Sequence, residues 1–150
     1  AQMAKWDPEQ DDHKIGLVNL LHVFAYLDPK MGRTESVADF NFIGGQTFDP
    51  CLWVVRTGDE RFQSLDAFLK YSKANPDKIV VSTTAIGSDD YQGLAYAEKT
   101  VDGFKVSKVY ANNDAKKVQE LLGNHTDAIA GNVSYYVNHS NGFPSYPVYP

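Results

Sequence analysis

The 150-residue sequence predicts an α/β fold, with a mostly parallel sheet flanked by helices. Three observations point there. Short runs rich in β-branched residues recur from residue 50 onward. Each is followed by an amphipathic stretch that opens on a capping residue. Gly, Pro and Asn stand at the joints. That alternation is the pattern of βαβ units, whose connecting helices cover the faces of a parallel sheet.

The elements follow in order. Lys14 to Val18 reads as a strand, Leu20 to Leu27 as a helix, Met31 to Asp39 as a connection, and Phe42 to Thr47 as a strand interrupted at Gly44-Gly45. Leu52 to Arg56 reads as a buried strand, and TGDERFQ after it as a turn. Ser64 then caps a helix with Leu65, Phe68 and Leu69 on one face, since a side-chain oxygen there satisfies a free N–H of the first turn. Asn75-Pro76-Asp77 ends it, because proline cannot continue the ladder. Ile79 to Ser82 reads as a central strand. Ser88 caps the next helix, with Asp89 and Asp90 in its first turn and Tyr91, Leu94, Ala95 and Glu98 on one side. Val106 to Tyr110 is a strand. Asp114 opens a helix with Ala115, Val118, Leu121 and Leu122 facing inward and Gly123 as its stop. Asp127 to Gly131 is the last strand. Prolines at 144, 147 and 150 make the final thirteen residues, NHSNGFPSYPVYP, an extended tail.

Composition narrows the classes of function. The net charge of −5 and the scattered Lys and Arg argue against nucleic-acid binding, which needs clustered cations on phosphates. Ile15 to Leu27, the longest apolar stretch, is broken by Asn19 and His22 and falls short of the ~20 residues of a membrane span. A single cysteine, Cys51, allows no internal disulfide, and its apolar neighbours Leu52 to Val55 suggest a buried thiol. The opening AQMAKWDPEQDD has neither the basic nor the apolar region of a signal peptide, so any export leader is expected to have been removed or to lie upstream. The N-x-S/T triplets at Asn124, Asn132 and Asn138 read as chance in an Asn-rich chain.

In open parallel sheets, ligands bind beyond the carboxyl ends of the strands. Three loops qualify. STTAIGSDD, residues 82–90, offers hydroxyls at Ser82, Thr83, Thr84 and Ser88, a flexible Gly87, and free N–H groups at a helix start that favour negative charge. Asp89 and Asp90 oppose an anion there, because they can fill those donors themselves. The second loop carries Asn19 and His22, and the third carries Asn132 and Ser134. Asp49-Pro50 is first a turn signal and then a candidate contact.

Motifs for catalysis are missing. There is no GxSxG, HExxH, P-loop or GxGxxG. Histidines 13, 22, 125 and 139 show no metal-ligand spacing, so neither a metal nor a cofactor is expected. An enzyme pairing His22 or His125 with Asp49 or Asp127 remains an alternative.

The segment DFNFIGGQTFDPCLWVVRTGDERFQSLDAFLKYSKANPDKIVVSTTAIGSDD resembles the tripartite tricarboxylate transporter receptors, also called Bug receptors, a group of TctC-like periplasmic solute-binding proteins. That family shows an F-x-x-I-G strand, an x-D-P-x-x-x-V-V-R crossing strand, a helix ending in A-N-P-x-K, and a G-x-G-S type loop. LLGNHTDAIAGNVS and IGLVNLLHVFAYL are similar to further family stretches, and the match runs from about residue 4 to about residue 137. One departure is VYANNDAKK, which keeps Tyr110 but lacks the family's Lys-Gly pair.

The resemblance implies a type II periplasmic-binding-protein-like lobe with part of its companion. Residues 1–50 would form a partial first lobe and crossing region, 51–134 the second lobe, and 135–150 a Pro/Tyr-rich tail. It implies capture of a small carboxylate, without chemistry, for membrane permease subunits. Thr83, Thr84, Gly87 and Ser88 would contact the ligand or bridging water. Asn19 and His22 would line the first-lobe edge, Asp49 would stand near the crossing strand, and Asn132 where the chain turns back. A partial lobe would also expose sheet edges and invite self-association. A stable lobe without ligand of its own is the remaining alternative.

Overall fold

The structure is a computed structural model that describes residues 5–7, 9–19, 23, 32, 34–138 and 148–149. The chain divides into two compact units, Ala1–Thr47 and Phe48–Pro150.

In the first unit, a short 3-10 turn at Val37–Asp39 is closed by a reciprocal cap. Ser36 Oγ accepts the Ala38 N–H at 3.2 Å, and Asp39 accepts the Ser36 N–H at 2.7 Å. The strands expected at Lys14–Val18 and Phe42–Thr47 are not formed. Both are apolar enough, but a strand exists only where a neighbouring ladder takes up its N–H and C=O groups. Among the described residues nothing pairs with either, and Ile15, Leu17 and Ile43 stand 74%, 76% and 81% exposed. Of the helix expected over Leu20–Leu27, only the buried, helical Val23 lies within the described residues.

The second unit carries the sheet. Its strands are β1 (Cys51–Val55), β2 (Val80–Thr83), β3 (Ser107–Tyr110), β4 (Ala128–Asn132) and β5 (Val148–Tyr149). Its helices are α1 (Leu65–Ala74), α2 (Asp89–Thr100), α3 (Asp114–Leu122) and α4 (Val133–Asn138). The strand order is β3-β2-β4-β1-β5. β2 runs parallel to β3 and β4, whereas β1 runs antiparallel to β4, from Cys51↔Asn132 to Val55↔Ala128. The sheet is therefore mixed. Alternation of strands and helices reveals the parallel centre but not the direction of β1.

Both faces are buried. Residues alternate along each strand, so Val55, Val81 and Ala128 face one core with Phe62, Phe68 and Leu94, while Leu52, Val54 and Ile129 face another with Val118 and Leu121. Trp53 stacks on Phe104 at 5.3 Å between ring centres. Ser64, Ser88 and Asn113 cap α1, α2 and α3. The tail is not wholly extended. Residues 133–138 form α4, and Val148 and Tyr149 pair with Val54 and Trp53. The open outer edge of β1 supplies unpaired groups that a short extended segment can satisfy.

The inward face of α3 differs from expectation. Val118 and Leu121 are buried, but Ala115 is exposed and Leu122 half-exposed. Lys117, at 1% exposure, takes the interior position instead. The stripe is Asp114, Lys117, Val118 and Leu121, a helical spacing that hydrophobicity alone does not pick out.

At the amino ends of β2 and β4, Asp127 ties the sheet together. One carboxylate oxygen accepts the Val80 N–H at 2.9 Å, and the other accepts Arg61 at 2.7 Å. Arg61 also grips Asp59 with two bonds of 2.9 and 2.7 Å, which hold the Asp59 carboxyl below the usual range. Asp127→Ala strands the Val80 N–H and removes one of the two carboxylates that hold Arg61. Urea unfolding is expected to show a loss of about 2 kcal/mol, and Asp127→Asn, which keeps an acceptor for Val80, is expected to lose less.

Candidate functional site

The carboxyl ends of β2 and β4 lie side by side, and the chain leaves each toward a helix. Thr83 closes β2 and is wholly buried; its carbonyl accepts the Ala111 N–H at 2.9 Å, and its hydroxyl has no partner among the described residues. Thr84 stands at the surface, yet both its N–H and its hydroxyl donate to Asp90 Oδ2, at 2.8 and 2.9 Å. Ser88 Oγ receives the Tyr91 N–H at 3.4 Å and lies within reach of both Asp90 Oδ1 and the Ala85 carbonyl. Gly87 is exposed with φ +89°, and a side chain there would meet nothing. Glycine is needed at that position for its backbone conformation, not for space.

Asp90 is the centre of this arrangement. It is 1% exposed and forms an ion pair of 2.6 Å with Lys117, equally buried. Lys117 also donates to the Ala130 carbonyl at 2.9 Å and lies 3.0 Å from Asp114. Burial works to raise the Asp90 carboxyl, but Lys117, Ser88 and Thr84 outweigh it and hold the group below the usual range. Neighbouring Tyr136 has a buried hydroxyl without a partner among the described residues. Burial, then Asp114, push its ionisation far up, so it remains a neutral phenol. Its ring lies over Gly131, where a Cβ would come within 2.8 Å of it.

The third loop joins the same end. Asn132 donates to Asp89 Oδ2 at 2.7 Å and to the Asp49 carbonyl at 3.4 Å. Asp49 accepts the Ser134 N–H at 2.9 Å and also bonds the Ser134 hydroxyl, which fixes the start of α4. Cys51 is exposed rather than buried, because it opens β1 at the end of the sheet. Partial desolvation of the thiol by its surroundings, then Asp89 and Asp90, push it up to about 11.

Thr84, Gly87, Ser88, Asp49 and Asn132 thus gather at one end of the sheet, with Thr83 beneath the surface. Asn19 belongs to the first unit, where its carbonyl accepts the Val23 N–H at 3.3 Å. His22 lies outside the described residues. His125 is exposed, and Asp127 is engaged by Arg61 and Val80. Among the described residues no cluster of His, Cys, Asp or Glu can hold a metal ion. The residue that sequence reasoning missed is Lys117. Its only signal was its spacing, three after Asp114 and four before Leu121.

No protein-family model matches the sequence, and no curated protein matches it. Solved structures do. The periplasmic binding protein BugD is similar with a TM-score of 0.52 and 21% identity, over 63% of this chain and 31% of its own. A TctC solute-binding protein from Polaromonas is similar with a TM-score of 0.53 and 25% identity, over 67% of this chain and 33% of its own. The fold is that of the Bug and TctC periplasmic binding proteins. The chain spans about a third of the length of these BugD and TctC structures. A structure described as a periplasmic transporter has a TM-score of 0.50 and 17% identity, over 61% of this chain and 30% of its own. The residues gathered above lie at the carboxyl end of the sheet, the end at which open α/β sheets in general receive ligands.

A depressed carboxyl stabilises the fold above its unfolded value, and that stability is lost as pH falls through the folded value. Asp90 and Asp59 are both depressed. Stability is therefore expected to hold near neutrality and to fall below about pH 4. Asp90→Asn is expected to be less stable at neutral pH and to show a shallower acid limb, measured by thermal unfolding across pH. An unchanged acid limb would assign the acid sensitivity to other carboxylates.

Proposed function

We propose that this chain serves a periplasmic receptor that captures a small organic acid, a di- or tricarboxylate or a related acid, and passes it to the permease subunits of a tripartite tricarboxylate-type transporter. The likeness to BugD and to a TctC solute-binding protein supports the binding role. The convergence of Thr84, Gly87, Ser88, Asp49 and Asn132 at one end of the sheet carries the choice of site. Thr83, buried at the end of β2, and Asn19 and His22 of the first unit are proposed as further ligand contacts.

Thr84 and Ser88 serve Asp90, so the groups left for a solute are main-chain ones. The Ile86 and Gly87 N–H groups at the loop tip make no hydrogen bond among the described residues. A carboxylate or a bridging water can take two adjacent donors of this kind. Recognition then rests on neutral donors rather than on a bidentate arginine.

Native mass spectrometry of freshly purified protein is expected to show a co-purified small acid, and titration calorimetry with that acid to show binding. No adduct, together with no heat from mono-, di- and tricarboxylates, would overturn the reading. Gly87→Val forces a β-branched residue into φ +89° and is expected to weaken binding roughly tenfold or more, about 1.4 kcal/mol. Gly87→Asn, which tolerates positive φ, is expected to retain most of the affinity.

A further inference from the structure

We propose that Asp90 sets the charge selectivity of this site. Its carboxylate occupies the anion cradle formed by the β2–α2 loop and Lys117, and so closes that cradle to the acid group of a solute. This inference deepens the receptor reading and rests on it for the solute itself.

The cradle is what an oxyanion would need. Two main-chain N–H groups, of Thr84 and Tyr91, converge on it at 2.8 and 3.0 Å. Two hydroxyls, of Thr84 and Ser88, join them. A buried ammonium, Lys117, completes it at 2.6 Å. Each of these groups lies within hydrogen-bond distance of an Asp90 oxygen, while Ser88 and Lys117 also reach the Ala85 and Ala130 carbonyls. A carboxylate in such surroundings is held by charge-assisted bonds, each stronger than a neutral one. A free acid in solution cannot displace a group tethered in place, because the tether gives the internal carboxylate a high effective concentration.

What Asp90 leaves at the mouth is not cationic. Lys117 is neutralised and 1% exposed. The half-exposed carboxylates there, Asp49 and Asp89, are engaged by Ser134 and Asn132. The part of the solute facing β4 and the start of α2 is therefore a hydrogen-bond donor: a hydroxyl, an amide or an ammonium. Its acid group is carried on the far side, at the Ile86–Gly87 tip or beyond.

Asp90→Ala empties the cradle while keeping every one of its donor residues. In chloride buffer the variant is expected to melt roughly 10 °C below wild type, because a buried cation has lost its partner. Formate is expected to restore much of that loss in a saturable way, and to leave wild type unchanged at the same ionic strength. Asp90→Asn fills the same volume with a neutral group and is expected to give no formate response. Asp90→Ala with Lys117→Met removes the ammonium and is expected to give none either.

Formate that stabilises wild type as much as Asp90→Ala, or that fails to stabilise Asp90→Ala, overturns the inference. Where Asp90→Ala folds only when formate is present, the inference is supported; where it fails to fold even then, it is overturned. The formate response reads the cradle alone. A chain that responds to formate but captures no organic acid keeps Asp90's role and loses the receptor reading. One that binds an acid without the formate response loses only the role of Asp90.

Discussion

A charge inside an α/β layer must be neutralised where it lies, and the arrangement of the sheet's carboxyl end follows from how Asp90 and Lys117 meet that demand. Both are 1% exposed. Each alone would cost several kcal/mol to bury. Together they remain affordable only because their other bonding positions are also filled. Lys117 uses Ala130 and Asp114, while Asp90 uses Thr84, Ser88 and Tyr91. The pair therefore fixes three elements at once: the loop after β2, the helix α3 and the strand β4. Small changes in any of them leave a charge without its partner.

The two ends of the sheet solve opposite problems. At the amino end, Asp127 closes the strand start by taking the Val80 N–H and is itself held by Arg61, which also holds Asp59. Arg56 reaches across to the Leu121 and Thr126 carbonyls, satisfying acceptors at the end of α3. All of these groups have protein partners, so that end is structural. At the carboxyl end most polar side chains are engaged as well, the Thr83 and Tyr136 hydroxyls apart, but the Ile86 and Gly87 N–H groups of the exposed loop tip have no partners among the described residues. A binding surface made of backbone on a rigid support keeps its geometry when side chains change.

The parts of this fold that the sequence made legible are those set by local physics. The caps at Ser64 and Ser88, the stop at Asn75-Pro76, and the apolar runs of β1, β2 and β4 are each decided within a few residues, and the structure has them within one residue of expectation. What was not legible depends on a distant partner. Phe42–Thr47 has the composition of a strand, but no described residue forms a ladder with it. The direction of β1 depends on β4, about eighty residues away. Lys117 reads as a solvated lysine until Asp90 is known to stand opposite it. The role of Asp90 was half legible: a carboxylate in the first turn of a helix competes for that helix's own N–H groups, while the ammonium beneath it could not be seen.

The same interactions fix the protonation states at this end of the sheet. Acid–base chemistry near neutrality calls for a group poised to give and take a proton there. The titratable groups shifted at this end move away from that range. Asp90 is held down, whereas Cys51 is pushed up to about 11 and Tyr136 further still. Their causes agree, because low solvation keeps the thiol and the phenol neutral, and a buried ammonium keeps the carboxylate charged. A group locked in one protonation state serves as a fixed donor, acceptor or charge. Fixed charges and fixed donors of this kind hold the loop after β2, the helix α3 and the strand β4 in one arrangement.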